Sequence, residues 1–298
     1  MEDEFYPVIE IQPEWVLEPE AMGSKEKFWY RNRDEQDCDW LFKYPKEGTG
    51  QHWAEKVAAE LAAVLHIRHA PVELAVFQGR RGSATESFAR EGRNLFHGNQ
   101  ILSGFVLGYD PSGTFRHSSH TLENIRTALE RTFAYEHGRQ RAKLAMAEYL
   151  VFDALIANVD RHHENWGLLR KKVDGEWQGF VAPTFDHASS LGREILEERR
   201  ALLLRENRVG KYVEKGRGGV FWSEEDKRGP SPLELIRRAT RTHPEEFRPA
   251  VEKVVRFNRE ELEKILGRVP LDWMTPLERE FTLALVCYSH HELLKLLP

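Results

Sequence analysis

Two carboxylates and one amide, Asp160, Asn165 and Asp186, have the types and spacing that phosphoryl-transfer chemistry requires. The first two lie in one polar run, and the third follows a hairpin signal further along the chain. The reaction needs a proton acceptor for the attacking hydroxyl, oxygen ligands for magnesium and a cation on the phosphates. Asp160 can accept the proton, while Asn165 and Asp186 can bind the metal.

The cation would be Lys43, a single basic residue among large apolar side chains in a short strand pattern, 39–45. An acidic residue on the next helix can orient it, and both Glu55 and Glu60 are available. Their five-residue spacing places them on different helix faces, so the sequence leaves both open. Glycines near Gly23 would let backbone N–H groups approach the phosphates.

The elements that must position these residues change in character along the chain. The first 90 residues are predicted to be strand-rich around one helix with 3.6-residue periodicity, 53–65. Beyond them helical patterns dominate, except for a hairpin around Asp174-Gly175, a dipeptide that favours tight turns. The predicted helices are 121–136, 141–158, 232–240, 244–257, 259–266 and 276–297, and the predicted hairpin strands are 166–170 and 178–182.

Composition narrows the class of protein. The 298 residues contain 43 Lys plus Arg and 48 Asp plus Glu, a net charge of -5, which argues against direct, charge-driven binding of nucleic acid. Residues 1–20 hold seven of the acids and no Lys or Arg. At 41% hydrophobic the chain should fold, and it has neither an apolar run long enough for a membrane span nor a basic secretory signal. A cytoplasmic protein is predicted.

A basic segment and a pair of histidines could be functional, but each has a structural explanation. The glycine-containing stretch 210–219 can be a basic segment that faces a substrate, together with Arg205, Arg208, Lys215 and Arg217. A solvated loop is the favoured interpretation. His162 and His163 lack a third residue spaced to complete a zinc site. His162 is instead predicted to support its loop by hydrogen bonds.

The motifs together resemble those of the HipA-like serine/threonine kinases. Residues 157–169, which include Asp160-Arg161-His162, resemble the family's catalytic loop, and 185–191 resemble its metal-binding segment. Residues 23–27 are similar to its phosphate loop and 40–45 to its nucleotide-lysine strand. Residues 84–88 resemble, more weakly, the adenine-contacting hinge.

The resemblance implies an α+β, bilobal protein-kinase-like fold with a strand-rich N-lobe and a helical C-lobe. The predicted division is an acidic leader at 1–20, the N-lobe at 21–89 and the C-lobe at 90–298, with ATP between the lobes. The implied activity is transfer of the γ-phosphoryl group of ATP, with Mg²⁺, to a protein Ser or Thr, with autophosphorylation, and the chain resembles the compact, kinase-only members. The implied site residues are Asp160 and Lys43 for catalysis, Asn165 and Asp186 for metal, and Gly23, Ser24, Lys25, Lys27, Lys43, Glu86, Phe88 and His162 for the nucleotide.

The sequence leaves several alternatives to a protein kinase open. The same core serves kinases of small molecules or lipids, and a catalytically silent pseudokinase that binds an antitoxin is a rival from another class. The resemblance also implies a possible role as the toxin of a toxin–antitoxin pair. Glu20 occupies the position, three before Gly23, where the family carries an inactivating phosphoserine. The leader is therefore predicted to pack beside the nucleotide site or to temper its positive charge.

Overall fold

A computed structural model describes residues 4–19, 26–31, 38–90, 92–113 and 117–298. The chain divides into two compact units. Unit 1 comprises Met1–Phe88, Asp186–Asn207 and Phe257–Ala284, and unit 2 comprises Ala89–Phe185, Arg208–Arg256 and Leu285–Pro298. Phe185 and Asp186 are therefore the last and first residues of segments that belong to different units.

Unit 1 contains a six-stranded sheet in the order β1-β5-β6-β4-β3-β2. Neighbouring strands pair antiparallel, except that β1 runs parallel to β5. The strands are β1 Val8–Ile11, β2 Val16–Pro19, β3 Lys27–Arg31, β4 Asp39–Lys43, β5 Val72–Phe77 and β6 Arg80–Glu86. The two edge strands, β1 and β2, both come from the acidic leader.

The connection between β1 and β2 shows that this sheet curls. A flat sheet of six strands places its edges about 24 Å apart, at about 4.8 Å per strand interval. The chain from Ile11 to Val16 has five steps, which reach at most about 18 Å, and a 3₁₀ turn at Pro13–Trp15 shortens it further. Both edges can be reached only if the sheet bends back on itself, with the twist that strands prefer.

The residues inside this curl are large and apolar. Phe28, Tyr30, Phe42 and Tyr44 form a buried cluster with Ile11, Ala75 and Ala84, and Trp15 of the 3₁₀ turn packs against it. Helix α1, Gln51–Val64, packs on β5 and β6. The other described helices that lie wholly in unit 1 are α5 Glu197–Arg205 and α9 Arg259–Gly267.

Unit 2 is mainly helical and carries a three-stranded sheet in the order β7-β8-β9. Its strands are β7 Asn94–His97, β8 Gly167–Val173 and β9 Glu176–Val181. Its helices are α2 Gly98–Phe105, α3 Leu122–Thr132, α4 Glu136–Leu155, α6 Val209–Lys215, α7 Pro232–Thr242 and α8 Pro244–Val254. The final helix, α10, spans Pro276–Leu294. Helix α4 packs on α7, α8 and β9, so the residues after its C-terminus begin from a buried element.

The structure confirms the predicted hairpin and most helices, with three differences. The predicted helix 121–136 ends at Thr132, and the next begins at Glu136, not near 141. The stretch 210–219, favoured as a loop, begins inside the short helix α6, because Val209 and Val213 bury one helix face. Strands β1, β2 and β7 and helices α2 and α5 were not predicted. The division at residues 20 and 89 stays a prediction.

No helix in the described ranges combines the length and the apolar character needed to cross a membrane.

Candidate active site

Lys43 is the last residue of β4 and lies among carboxylates in unit 1. Its Nζ is 3.2 Å from Asp186 Oδ2 and 3.6 Å from Glu55 Oε1. Burial by itself lowers the pKa of the Lys43 amine, but the carboxylates of Asp186 and Glu55 outweigh burial and raise that pKa above its ordinary value. Lys43 is therefore a buried, permanently charged cation.

The structure decides between the two acids that the sequence left open. Glu55 is 1% exposed, and its second carboxylate oxygen accepts a hydrogen bond from the Ser83 hydroxyl at 3.2 Å. Glu60 instead pairs with Lys56 at 2.7 Å, one helical turn away. Glu55 is consequently the residue that orients Lys43.

The structure describes some, but not all, of the unit 1 residues that were predicted to contact the nucleotide. Lys27 of β3 lies directly opposite Lys43 in the sheet, so the two side chains leave the same face. Gly23, Ser24 and Lys25 lie outside the described residues. Glu86 ends β6, and Phe88 is the last residue of the first segment of unit 1; both are half-buried. Their contacts with a nucleotide stay a prediction.

Asp186 begins a segment that is tied to the start of α1. Its φ of 56° lies in the left-handed region, which costs energy for a residue with a side chain and is common at functional sites. Further along the segment, the Arg193 carbonyl accepts a hydrogen bond from the Gly50 backbone N–H at 2.9 Å. The helix that carries Glu55 and the segment that carries Asp186 are thus anchored to each other.

Asp160 lies in unit 2 in the loop after α4, and the loop's own hydrogen bonds define its backbone. The Asp160 N–H donates to Asn158 Oδ1 at 3.2 Å, and the Asp160 carbonyl accepts from the His162 N–H at 2.8 Å and from Asn165 Nδ2 at 2.7 Å. The carboxylate is 25% exposed. His162 Nε2 is 4.0 Å from Asp160 Oδ1, and nothing in the structure tests its predicted nucleotide contact.

Arg161 holds this loop from inside. Its Nε and Nη2 donate to the two carboxylate oxygens of Asp153 at 2.7 and 2.9 Å, and both residues are 2% exposed. The guanidinium also donates to Thr184 Oγ1 at 2.9 Å, to the Phe185 carbonyl at 3.1 Å and to the Asn165 carbonyl. Because Phe185 is covalently followed by Asp186, one buried cation fixes the backbone beside Asp160 and the residue before Asp186.

A second buried group supports the loop from another side. His120 Nδ1 lies 2.8 Å from the Gly219 carbonyl, and His120 Nε2 accepts from Trp166 Nε1 at 3.0 Å. Burial lowers the pKa of His120 to about 3, so the ring is neutral and Nδ1 is the donor. His163 is also buried, with the Tyr109 hydroxyl 2.8 Å from its Nδ1, and burial lowers its pKa.

The side chains fit a magnesium ion by their chemistry. With Nδ2 of Asn165 used as a donor, its amide oxygen Oδ1 remains as a ligand atom, and Asp186 supplies carboxylate oxygens. Among the described residues no group of three or more His, Cys, Asp or Glu side chains is arranged to bind a metal. Magnesium nevertheless suits a site with few protein ligands, because it commonly completes its shell with phosphate oxygens and water.

Two residues of this site, Asp153 and Asn158, were missed from the sequence. Asn158 Nδ2 donates to Asp153 Oδ1 at 2.7 Å, so Asp153 accepts hydrogen bonds from both Arg161 and Asn158. The available signal was an acid inside the otherwise apolar run 149–156, because a charge in a buried helix needs a partner.

The sequence matches a known family across these residues. Residues 20–263 match the family described as the HipA-like C-terminal domain. The chain belongs to this family. The HipA-like region thus includes Lys43, Glu55, Asp160, Asn165 and Asp186. No curated protein sequence matches the chain.

The fold is shared by other solved structures, among them a kinase and HipA. The HipA-like chain superposes on the crystal structure of a Helicobacter pylori proinflammatory kinase, CtkA, with a TM-score of 0.74, 18% identity and coverage of 97% of this chain and 99% of the other. It also superposes on HipA from the Shewanella oneidensis MR-1 toxin–antitoxin complex of HipA, HipB and operator DNA, with a TM-score of 0.58, 14% identity and coverage of 98% and 67%. These matches confirm the predicted α+β, kinase-like fold.

Proposed function

We propose that this HipA-like kinase is an ATP-dependent serine/threonine protein kinase that also phosphorylates itself. The observation that carries the proposal is the buried Lys43, placed between the carboxylates of Glu55 and Asp186. Taking such charges out of water costs stability, and a functional use explains why the arrangement is kept. A phosphate-binding cation with a fixed orientation is such a use.

Each residue has one task in the proposed reaction. Lys43, held by Glu55, would contact the nucleotide phosphates, and Lys27 on the neighbouring strand would add a second cation. Asp160 would accept the proton of the attacking hydroxyl, and the hydrogen bonds to its backbone fix where its side chain starts. Arg161 and Asp153 would act only as positioning residues, since both are buried.

Magnesium would be held by Asn165 and Asp186. When bound, the ion neutralises charge on the phosphate oxygens during transfer. The Asn165 amide group can offer the metal only its single oxygen, because its nitrogen donates a hydrogen bond to the Asp160 carbonyl. The substitution Asn165→Asp would therefore lose that donor while keeping a metal ligand.

Protein Ser or Thr is the proposed acceptor, in the cytoplasm, and a role as the toxin of a toxin–antitoxin pair is part of the same proposal. One of the structural neighbours named above is HipA in complex with HipB and DNA, which supports an antitoxin as the partner to test first. A kinase of small molecules or lipids, and an inactive antitoxin-binding relative, are the competing outcomes.

The test is phosphate transfer from ATP labelled at the γ-position, with magnesium, by the purified chain alone and with cell extract. The variants are Asp160→Asn and Asp186→Asn, which keep the side-chain size. The matched control is Asp174→Asn, an exposed turn residue at which asparagine adopts the same positive φ.

We expect labelled protein with the wild type and the control, and a loss of at least about a hundredfold with either site variant, in line with the usual effect of removing a catalytic acid–base group. Label in a small molecule or lipid only would favour the first competing outcome. No transfer, or equal transfer by all four proteins, would refute the kinase proposal.

A further inference from the structure

A basic segment of unit 2 lies against the loop that carries Asp160. A Cβ atom placed on Gly219 would be 2.9 Å from the Arg161 carbonyl carbon, and one placed on Gly216 would be 3.3 Å from Val159 Cγ1. The segment therefore touches the residues on both sides of Asp160. Glycine allows this close approach, because any larger residue at 219 would collide with backbone.

The position of this segment is fixed by several hydrogen bonds. The Gly218 N–H donates to the Pro230 carbonyl at 2.8 Å, and the Gly219 carbonyl lies 2.8 Å from Nδ1 of the buried His120. The Gly216 N–H donates to the Val213 carbonyl at 3.1 Å, which ends α6. Side chains near these glycines therefore project from a defined backbone beside the catalytic loop.

Three exposed cations surround these glycines: Lys211, Lys215 and Arg217, which we term the basic strip. Lys211 and Lys215 are four residues apart on α6 and share a helix face. The acid between them, Glu214, is already paired with Arg237 at 2.7 Å. In the part of the chain that the structure describes, no residue of the basic strip forms an ion pair.

We propose that the basic strip recognises acidic residues on either side of the acceptor Ser or Thr in a protein substrate. This inference rests on the proposed kinase function and names its substrate class. From the contact of Gly216 with Val159, the Cα atoms of Lys215 and Asp160 are at most about 15 Å apart. An extended peptide covers about 7–14 Å in two to four residues, so acids at that separation from the acceptor reach the basic strip.

A peptide suits these charges better than a nucleic acid does. Nucleic-acid binding depends on many phosphate contacts over a long basic surface, whereas the basic strip has three cations and the chain has a net charge of -5. A few exposed cations next to a proton acceptor instead match a short acidic sequence around one hydroxyl. The attraction should weaken with added salt, because the strip is exposed.

The test compares two Ser peptides that differ only in having Glu or Gln at positions two to four from the acceptor. The test variant combines Lys211→Ala, Lys215→Ala and Arg217→Ala. A matched control removes three other exposed charges of unit 2, by Arg141→Ala, Lys172→Ala and Arg241→Ala. The readouts are kcat/KM for each peptide and, independently of catalysis, anisotropy of a fluorescent Glu peptide.

We expect the wild type and the control to prefer the Glu peptide by about tenfold in kcat/KM, mainly through KM, as three exposed ion pairs of ordinary strength would give. The test variant should lose this preference and keep its activity on the Gln peptide. Equal use of both peptides by the wild type, or an unchanged preference in the test variant, would overturn the inference.

Two outcomes separate this inference from the kinase proposal. If neither peptide is phosphorylated, the transfer assay with cell extract decides on the kinase proposal, and the anisotropy still decides on the basic strip. Equal binding of the Glu peptide by wild type and test variant would then overturn the inference. Tighter binding of a single-stranded RNA of the same charge would also overturn it, in favour of a nucleic-acid surface.

Discussion

Replacing Asp153 by asparagine tests whether the buried pair with Arg161 holds the loop that carries Asp160, the proposed catalytic residue. Asparagine keeps the size of the side chain but presents an N–H group where Arg161 also donates. Arginine stays charged, so a buried cation loses its only carboxylate among the contacts described above. Breaking one side of a buried pair costs about 3–5 kcal/mol. Neutral oxygens of Thr184 and two backbone carbonyls still accept from Arg161, so we expect about 3 kcal/mol.

The loss is measured as the change in the free energy of unfolding in urea, followed by tryptophan fluorescence. Glu246→Gln is the matched control, because Glu246 forms a partly buried bidentate pair with Arg126 at 2.7 and 2.9 Å in the same unit. It should also destabilise the protein, by about 1–3 kcal/mol. Phosphotransfer by this control, assayed where it is fully folded, should match the wild type.

Asp153→Asn should behave differently in the activity assay. At a temperature at which the variant is folded, we expect kcat to fall by at least about tenfold, because a displacement of a catalytic group by about 1 Å is enough for such losses. KM for ATP should change little, since Asp153 is not among the proposed phosphate contacts, Lys43 and Lys27, which belong to the other unit. A destabilisation below about 1 kcal/mol, or wild-type kcat in the folded variant, would refute the positioning role.

Three further predictions follow from other contacts. Glu55→Gln should lower kcat/KM for ATP by about tenfold, because of these two acids it is Glu55 that contacts Lys43. Glu60→Gln, which removes a partner of Lys56, should lower it by less than about twofold in the same assay. Equal losses would contradict the assignment of Glu55 as the residue that orients Lys43. Deletion of residues 4–19 should give an aggregated or unfolded chain by size-exclusion chromatography and circular dichroism, because both sheet edges are lost; a soluble chain with an unchanged melting temperature would argue against this. His120 has a folded pKa of about 3 against about 6.5 when unfolded, so its contribution to stability is complete above pH 6.5 and declines by about 2 kcal/mol from pH 7 to 5. Urea titrations at both pH values should show a smaller decline for His120→Gln, and an equal decline would contradict it.

The parts of the fold that could be predicted from the sequence depend on local patterns. The hairpin at Asp174-Gly175 and the helix that contains Glu55 both have periodicities and turn residues that are visible within one segment. The polar loop with Asp160 and Asn165 was identifiable because its residues cannot continue the apolar stripe of the helix before it. Helix α6 was not, since Gly210 within it and Gly216 at its C-cap obscure its single buried face.

The contacts that were not predicted depend on how different elements of the chain pack against one another. Glu55 could have been preferred over Glu60 only by noticing that Lys56 is placed to pair with Glu60 one turn later. The partnership of Asp153 with Arg161 depends on how the chain reverses after α4. No local pattern indicates that the first strands form both sheet edges, because that depends on pairing with β3 and β5.

The pairing of β1 with β5 has a consequence for synthesis. Val8 leaves the ribosome long before Leu74, its partner in the sheet, and such distant pairing is slow. During that interval the leader contains a nascent strand, β1, without its partner, and unpaired strands can associate with other copies. Glu10, Glu14 and Glu18 interrupt its apolar residues with like charges, which oppose such association. We therefore expect the acidic residues of the leader to limit aggregation of the nascent chain until β1 has paired with β5.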